Sequence, residues 1–191
     1  EDGVKQDLSF FTRKQQPISM SLLLDSSASM EDKMQTLQAA AVNFVQRLKS
    51  NDMAQVIDFD SRVSIKQTFT SSQNELQTAV QQVTAGGSTS LYNAVYIALK
   101  ELAKQKAAGD EDVRRQAIVL FSDGEDTSSL ISFDEVLDLA KRSDTAIFTI
   151  ALRGADTQST GFHEAEFVMR QLAQETGGRA FFPAKIEDLN G

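Results

Sequence analysis

The sequence predicts an α/β fold, a three-layer doubly wound sheet that is mostly parallel and has one antiparallel edge strand. Short apolar runs alternate with segments of helical spacing along almost the whole chain, which is typical of a parallel sheet with helices on both faces. A tight turn at 60–62 joins two consecutive strand patterns and predicts the antiparallel edge. The 191 residues suit one large domain, since a chain of about 150 residues already buries roughly 70% of its unfolded surface.

The first half of the chain begins with an apolar strand. Residues 18–24 form an apolar run that ends at Asp25, and a run of this kind indicates a buried strand. Apolar residues at helical spacing over 34–48 predict a helix, and 53–59 predict a second strand. Apolar and polar residues then alternate over 63–69, which predicts a half-exposed third strand.

The second half continues the alternation. Helices are predicted over 76–83, stopping at the glycine pair 86–87, and over 91–102. Residues 117–121 predict another buried strand, and 133–141 predict a helix. The last three predicted elements are a strand over 146–152, a helix over 162–176 closed by two glycines, and a short strand over 180–182.

The two ends of the chain are less regular. We expect residues 1–17 to be the tail of a preceding region or a linker, 18–185 to be the domain, and 186–191 to begin a helix that stays incomplete. The sequence starts with Glu1 and not with methionine, so we expect a piece of a longer protein, with an upstream signal peptide left open.

Composition excludes several classes of function. Acidic residues number 27 and basic residues 19, for a net charge of −8, which argues against nucleic acid and against an anionic membrane as partners. The absence of cysteine excludes disulfides, zinc–thiolate sites and cysteine nucleophiles. No apolar run approaches the roughly 18 residues of a membrane span, so direct membrane insertion is not expected.

Polar side chains gather where strands are predicted to end. Asp25 and Asp123 each follow an apolar run, serines follow Asp25, and a third polar loop, 86–90, precedes a helix. Ligands of doubly wound sheets bind at the carboxyl ends of the strands, so these loops are candidates for one site. Carboxylates and hydroxyls without histidine or thiol form an all-oxygen set, which suits a hard cation such as Mg²⁺, Mn²⁺ or Ca²⁺.

Three motifs in this order resemble the von Willebrand factor type A family and its metal-ion-dependent adhesion site. They are D-x-S-x-S at 25–29, G-S-T at 87–89 and F-S-D-G-E at 121–125. The resemblance implies a Rossmann-like sheet and one divalent cation, with Mg²⁺ foremost. It also implies the ligands, which are the hydroxyls of Ser27, Ser29 and Thr89, and Asp25 and Asp123, directly or through water.

The function that this resemblance implies is non-enzymatic protein binding, in adhesion or assembly. In the family an acidic side chain of the partner often completes the coordination of the metal. The leading Glu-Asp-Gly-Val-Lys-Gln segment and the Leu-Leu-Leu-Asp strand are also similar to bacterial extracytoplasmic members, so we expect a secreted or envelope-associated location.

Two other functions stay open. The domain could be a structural module of a larger bacterial protein, with a metal that only stabilises its loops. A haloacid-dehalogenase-like phosphatase also places an aspartate after its first strand, but it needs a second acid two residues later, where this chain has Ser27.

Individual site residues also have purely structural interpretations. Ser29 could cap a helix, with Asp32 three residues later. Ser88 or Thr89 could cap the helix that starts near Leu91. The carboxylates at 125–126 are expected to be solvated loop charges.

Overall fold

The computed structural model describes residues 16–107, 114–123, 125–152 and 160–183, with the backbone alone at 160–163. The strands are β1 Ile18–Asp25, β2 Met53–Phe59, β3 Val63–Thr70, β4 Arg115–Ser122, β5 Thr145–Ala151 and β6 Ala180–Phe181. The helices are α1 Met34–Gln46, α2 Gln73–Gln81, α3 Leu91–Ala107, α4 Phe133–Arg142 and α5 Thr160–Glu175. A short 3-10 helix, Ala28–Lys33, connects β1 to α1.

The six strands form one sheet in the order β3-β2-β1-β4-β5-β6. All neighbouring pairs are parallel except β2 and β3, which are antiparallel. This confirms the predicted fold class, including the antiparallel edge. The chain runs outward from β1 to β3 and then returns to β4 on the other side of β1. The crevice between β1 and β4 is therefore the topological switch point, where ligands of such sheets bind.

Two apolar cores cover the two faces of the sheet, and β1 contributes to both. Leu22 and Leu24 point into the core beneath α1 and α2. Leu23 points into the core formed with α3, α4 and α5. Because side chains alternate along a strand, Asp25 lies on the same face as Leu23. Burial on both faces explains why the central strands are continuously apolar and were recognisable from sequence.

The end of α2 differs from the prediction. The helix ends at Gln81, with Gln82 as its C-cap, and does not continue to the glycine pair at 86–87. Val83 is buried, but its amide donates to the carbonyl of Val80 in the turn that follows the helix. The apolar periodicity thus extends past the last helical residue and overestimates the length of the helix.

The ends of the chain leave two expectations untested. The predicted segment 186–191 lies outside the described residues, and so does all of 1–17 except its last two positions. Within the described part of the chain, every helix is too short or too polar to cross a bilayer.

Candidate metal centre

Asp25 lies at the carboxyl end of β1, beside the end of β4, and its side chain is fully buried. The Ser27 amide donates to its Oδ1 at 2.9 Å, and the Ser122 hydroxyl donates to its Oδ2 at 2.5 Å. Burial raises the pKa of Asp25 to about 6 against these hydrogen bonds, and the charge of Asp123 adds to the increase. An ionised Asp25 is therefore costly unless a positive charge compensates it.

The serines of the D-x-S-x-S motif lie at the start of the 3-10 helix. The Ser27 and Ser29 hydroxyl oxygens are 3.1 Å apart. Ser27 occupies the N-cap position, but its side chain caps no amide, and Ser29 lies inside the helix. The interpretation of Ser29 as a helix cap is therefore wrong, because the helix starts one residue before it.

The glycine loop before α3 is bonded to this serine loop. The Ala28 amide donates to the Gly87 carbonyl at 3.0 Å, and the Gly86 amide donates to the Ser26 carbonyl at 2.7 Å. Gly87 has a φ of 77°, a conformation that glycine adopts without strain. Its ideal Cβ position lies only 3.0 Å from the Ser61 hydroxyl. A glycine is thus favoured here both by its backbone angle and by the close approach of the turn between β2 and β3.

Thr89 links the glycine loop to the segment after β4. Its carbonyl accepts the amides of Thr127 and Ser128, both at 2.9 Å, and its own amide donates to the Thr127 hydroxyl at 2.9 Å. Thr89 is buried, with 4% of its surface exposed. The three loops that carry the predicted residues are therefore joined by hydrogen bonds at one edge of the sheet.

Asp123, directly after β4, has two unlike oxygens. Oδ2 accepts a hydrogen bond from the Lys33 ammonium at 3.2 Å, and both side chains are less than one-fifth exposed. Oδ1 is buried and has no hydrogen-bond partner among the residues that the structure describes. Leaving a buried charged acceptor without a partner costs on the order of 1–3 kcal/mol or more.

The donor set depends on hydroxyls as much as on acids. In the described ranges no three carboxylate or imidazole side chains come together in a group that could hold a metal. Asp25 and Asp123 are the two acids among the predicted ligands, so serine and threonine oxygens would have to supply the others. Such a set suits a hard cation and no soft metal.

Asp126 has a structural role that the sequence analysis missed. Its carboxylate accepts the Ser129 hydroxyl at 2.7 Å and the Tyr92 amide at 3.3 Å, and the Ser129 hydroxyl accepts the Asn93 amide at 3.1 Å. These are first-turn amides of α3, so Asp126 and Ser129 cap that helix from another segment. The expectation that Asp126 is a solvated charge is wrong, whereas Glu125 is exposed as expected.

This arrangement predicts the effect of removing the Asp126 carboxylate. We expect Asp126→Ala to lower the free energy of unfolding by about 1–2 kcal/mol, the usual cost of losing a helix cap. Glu125→Ala, at the exposed neighbouring acid, should change it by less than about 0.5 kcal/mol. Urea unfolding of both variants measures the difference, and equal effects would contradict the capping role.

Two further residues contact the predicted acids but were not themselves predicted as ligands. Ser122 holds Asp25, and Lys33 holds Asp123. Ser122 could have been found because it follows Phe121, the register partner of Leu24 in the neighbouring strand, as Asp25 follows Leu24. Lys33 carries no such signal, since it is 90 residues from Asp123 along the chain.

Comparison with known proteins gives a family match over most of the chain. The sequence model of the von Willebrand factor type A domain matches residues 20–191. An uncharacterized protein of Synechocystis sp. is 32% identical over 112 residues, which is 57% of this chain and 26% of that protein. This chain thus spans about a quarter of the length of that relative.

Solved structures share the fold at low sequence identity. A von Willebrand factor type A protein from Catenulispora acidiphila superposes with a TM-score of 0.76 at 14% identity, covering 91% of this chain and 40% of that one. The type V pili tip protein Mfa5 from Porphyromonas gingivalis gives a TM-score of 0.73 at 13% identity, covering 92% and 48%.

Proposed function

This chain belongs to the von Willebrand factor type A family, and from that premise we propose that it is a divalent-cation-dependent protein-binding module. The cation lies at the β1–β4 switch point, and a carboxylate of the partner protein completes its coordination. The family membership and the geometry of the three joined loops support this proposal.

The observation that carries the proposal is Asp123 Oδ1, which has no hydrogen-bond partner in the described part of the chain. A buried carboxylate oxygen without a hydrogen-bond donor is rare in folded proteins. A bound cation would satisfy this oxygen and would also compensate the buried charge of Asp25. The residues present therefore fit a cation better than they fit an empty site.

The spacing of the hydroxyls fits a small cation. Neighbouring ligands of an octahedral Mg²⁺ stand about 2.9 Å apart, given metal–oxygen distances of about 2.05 Å. The Ser27 and Ser29 oxygens are 3.1 Å apart. We propose that these two hydroxyls, the Thr89 hydroxyl and Asp123 Oδ1 bind the ion, with Mg²⁺ as the first candidate and Mn²⁺ or Ca²⁺ as alternatives.

Asp25 acts differently in this proposal. Both of its oxygens already accept hydrogen bonds from Ser27 and Ser122, so it orients the serine loop and supplies negative charge, directly or through water. When bound, the cation acts as a Lewis acid that attracts one more carboxylate. Because mostly neutral hydroxyls would surround the ion, it would keep most of its charge available for that partner.

We further propose that the module works in adhesion or assembly at a bacterial cell envelope. The support is that the three similar proteins named above come from bacteria and that one of them is a pili tip protein. A partner for such a module would be a protein with an accessible aspartate or glutamate.

Two alternatives make different predictions. If the metal only ties the loops together, chelation lowers the melting temperature but leaves partner capture intact. A phosphatase of the haloacid-dehalogenase type would hydrolyse a generic phosphate ester, but Ser27 stands where its general acid would be needed. Family membership favours the binding function over both.

Calorimetric titration tests the metal site. We expect Mg²⁺ or Mn²⁺ to bind at one site, and Asp123→Asn to weaken binding by at least tenfold because it neutralises a proposed ligand. Asp138→Asn, at an exposed acid on α4, makes the same charge change away from the site and should leave the affinity unchanged. Unaltered affinity in Asp123→Asn would refute the assignment.

Pull-down with full-length protein tests the binding function. Capture of a partner should be lost in EDTA and restored by Mg²⁺, and Asp123→Asn should capture no more than the chelated wild type. A melting curve in the same EDTA buffer confirms that the domain is still folded during the assay. Capture that survives chelation would favour the purely stabilising metal.

A further inference from the structure

The ion pair between Lys33 and Asp123 places a built-in cation at the metal site. Lys33 Nζ lies 3.2 Å from Asp123 Oδ2, and the two side chains are only 17% and 18% exposed. In each of the other lysine ion pairs among the described residues, at least one of the two side chains is 33% exposed or more, the lowest value being that of Lys66. The structure therefore shelters this one ammonium among the acids of the site.

We propose that Lys33 is a tethered counter-ion that competes with the divalent cation for Asp123. In the metal-free domain its ammonium compensates the carboxylate, and metal binding must displace it. This inference rests on the metal site proposed above and adds a residue that sets the affinity of that site.

Electrostatics favours displacement over sharing. A divalent cation on Asp123 Oδ1 would stand on the same carboxylate as the ammonium on Oδ2, and the two positive charges repel at twice the strength of a pair of single charges. The ammonium is also a compact, strongly hydrated charge on a stem that rotates freely. Leaving the carboxylate for water therefore requires no change in the backbone.

The local structure gives the displaced ammonium a place to go. Lys33 is the last residue of the 3-10 helix, so its backbone is fixed at the junction with α1. Glu31 and Asp32, in the same short helix, are exposed acids. Because 17% of the Lys33 side chain is already exposed, a side-chain rotation alone can carry the ammonium from Asp123 into these acidic, solvent-exposed surroundings.

The test is calorimetric titration of Mg²⁺ into the wild type and Lys33→Met, which keeps an unbranched side chain of nearly the same length and removes its charge. We expect Lys33→Met to bind Mg²⁺ about tenfold more tightly, since the ion no longer displaces a competitor, and to melt at a lower temperature than the wild type in EDTA. Lys33→Arg keeps the charge and should stay close to the wild-type affinity. Lys104→Met removes a charge from an exposed side chain on α3 and controls for net charge.

The outcomes separate this inference from the proposed function. Unchanged or weaker Mg²⁺ binding by Lys33→Met, with normal binding by the wild type, overturns the competition and leaves the metal site standing. A wild type that binds neither Mg²⁺ nor Mn²⁺ overturns both. Lys33→Ala provides a second neutral variant, in which the same increase in affinity is expected should the methionine disturb folding.

Discussion

Asp25→Asn is expected to make the metal-free domain more stable at pH 7 and to abolish its stabilisation by Mg²⁺. The amide keeps the shape of the side chain. Its oxygen can accept the Ser27 amide, and its NH₂ group can donate to the Ser122 hydroxyl, which now accepts instead of donating. The substitution removes a buried negative charge. That charge destabilises the metal-free domain, but it is needed for the domain to bind the cation.

The pH dependence follows from the raised pKa of Asp25. Burial moves the pKa of this carboxyl from 3.8 to about 6, so between these values the folded state binds more protons than the unfolded state. Stability of the metal-free domain therefore falls as pH rises through this window. The full loss is about 3 kcal/mol at 1.36 kcal/mol for each unit of pKa, and Asp25→Asn should lack this contribution.

Unfolding in urea between pH 4 and pH 8, with EDTA or with Mg²⁺, measures both effects. Mg²⁺ at 100 times its Kd should stabilise the wild type by about 2.7 kcal/mol and Asp25→Asn by almost nothing. Asp58→Asn is the control, because Asp58 is also a buried acid with a raised pKa but pairs with Lys66 outside the site. A variant that keeps the full Mg²⁺ effect, or is less stable than the wild type in EDTA at pH 7, would show that the Asp25 charge does not have this role.

Gly178→Ala is expected to destabilise the domain by about 3 kcal/mol or more, at the upper end for overpacking. Gly178 lies between α5 and β6, and its amide donates to the Ala173 carbonyl at 2.9 Å. An ideal Cβ on Gly178 would stand 1.9 Å from the carbonyl oxygen of Ile147 and 2.6 Å from its carbon. Both atoms belong to the backbone of β5, so the clash can be relieved only by moving the helix end away from the sheet.

Replacements of two other glycines, Gly177 and Gly86, separate this clash from the loss of glycine flexibility. Gly177 has a φ of 76° with open space around its Cβ position, so Gly177→Ala should cost only the strain of a left-handed alanine, about 1–2 kcal/mol. Gly86 has ordinary backbone angles and nothing within 4 Å, so Gly86→Ala should change stability by less than about 0.5 kcal/mol. Midpoints of urea unfolding rank the stabilities of the three variants. The steric explanation would be contradicted if Gly178→Ala were as stable as Gly177→Ala or more stable.

The elements of the fold were predictable because their signals are local. Buried parallel strands need apolar residues on both faces, so β1 and β4 appear in the sequence as continuous apolar runs. The alternation over β3 likewise predicted a half-exposed strand, and every residue of β3 is half-buried or exposed. The end of α2 was predicted less well, because Val83 is buried by the turn that follows the helix and not by the helix itself.

The proximity of the motif loops could also be predicted from sequence, because two of the three loops directly follow strands whose carboxyl ends lie at one edge of the sheet. Which other side chains contact the residues of these loops could not be inferred. Lys33 reaches Asp123 from 90 residues away, and Asp126 caps α3 across a gap of 34 residues. Sequence periodicity reports how a segment faces the core, whereas contacts of this kind depend on how separate segments pack, which only the tertiary structure decides.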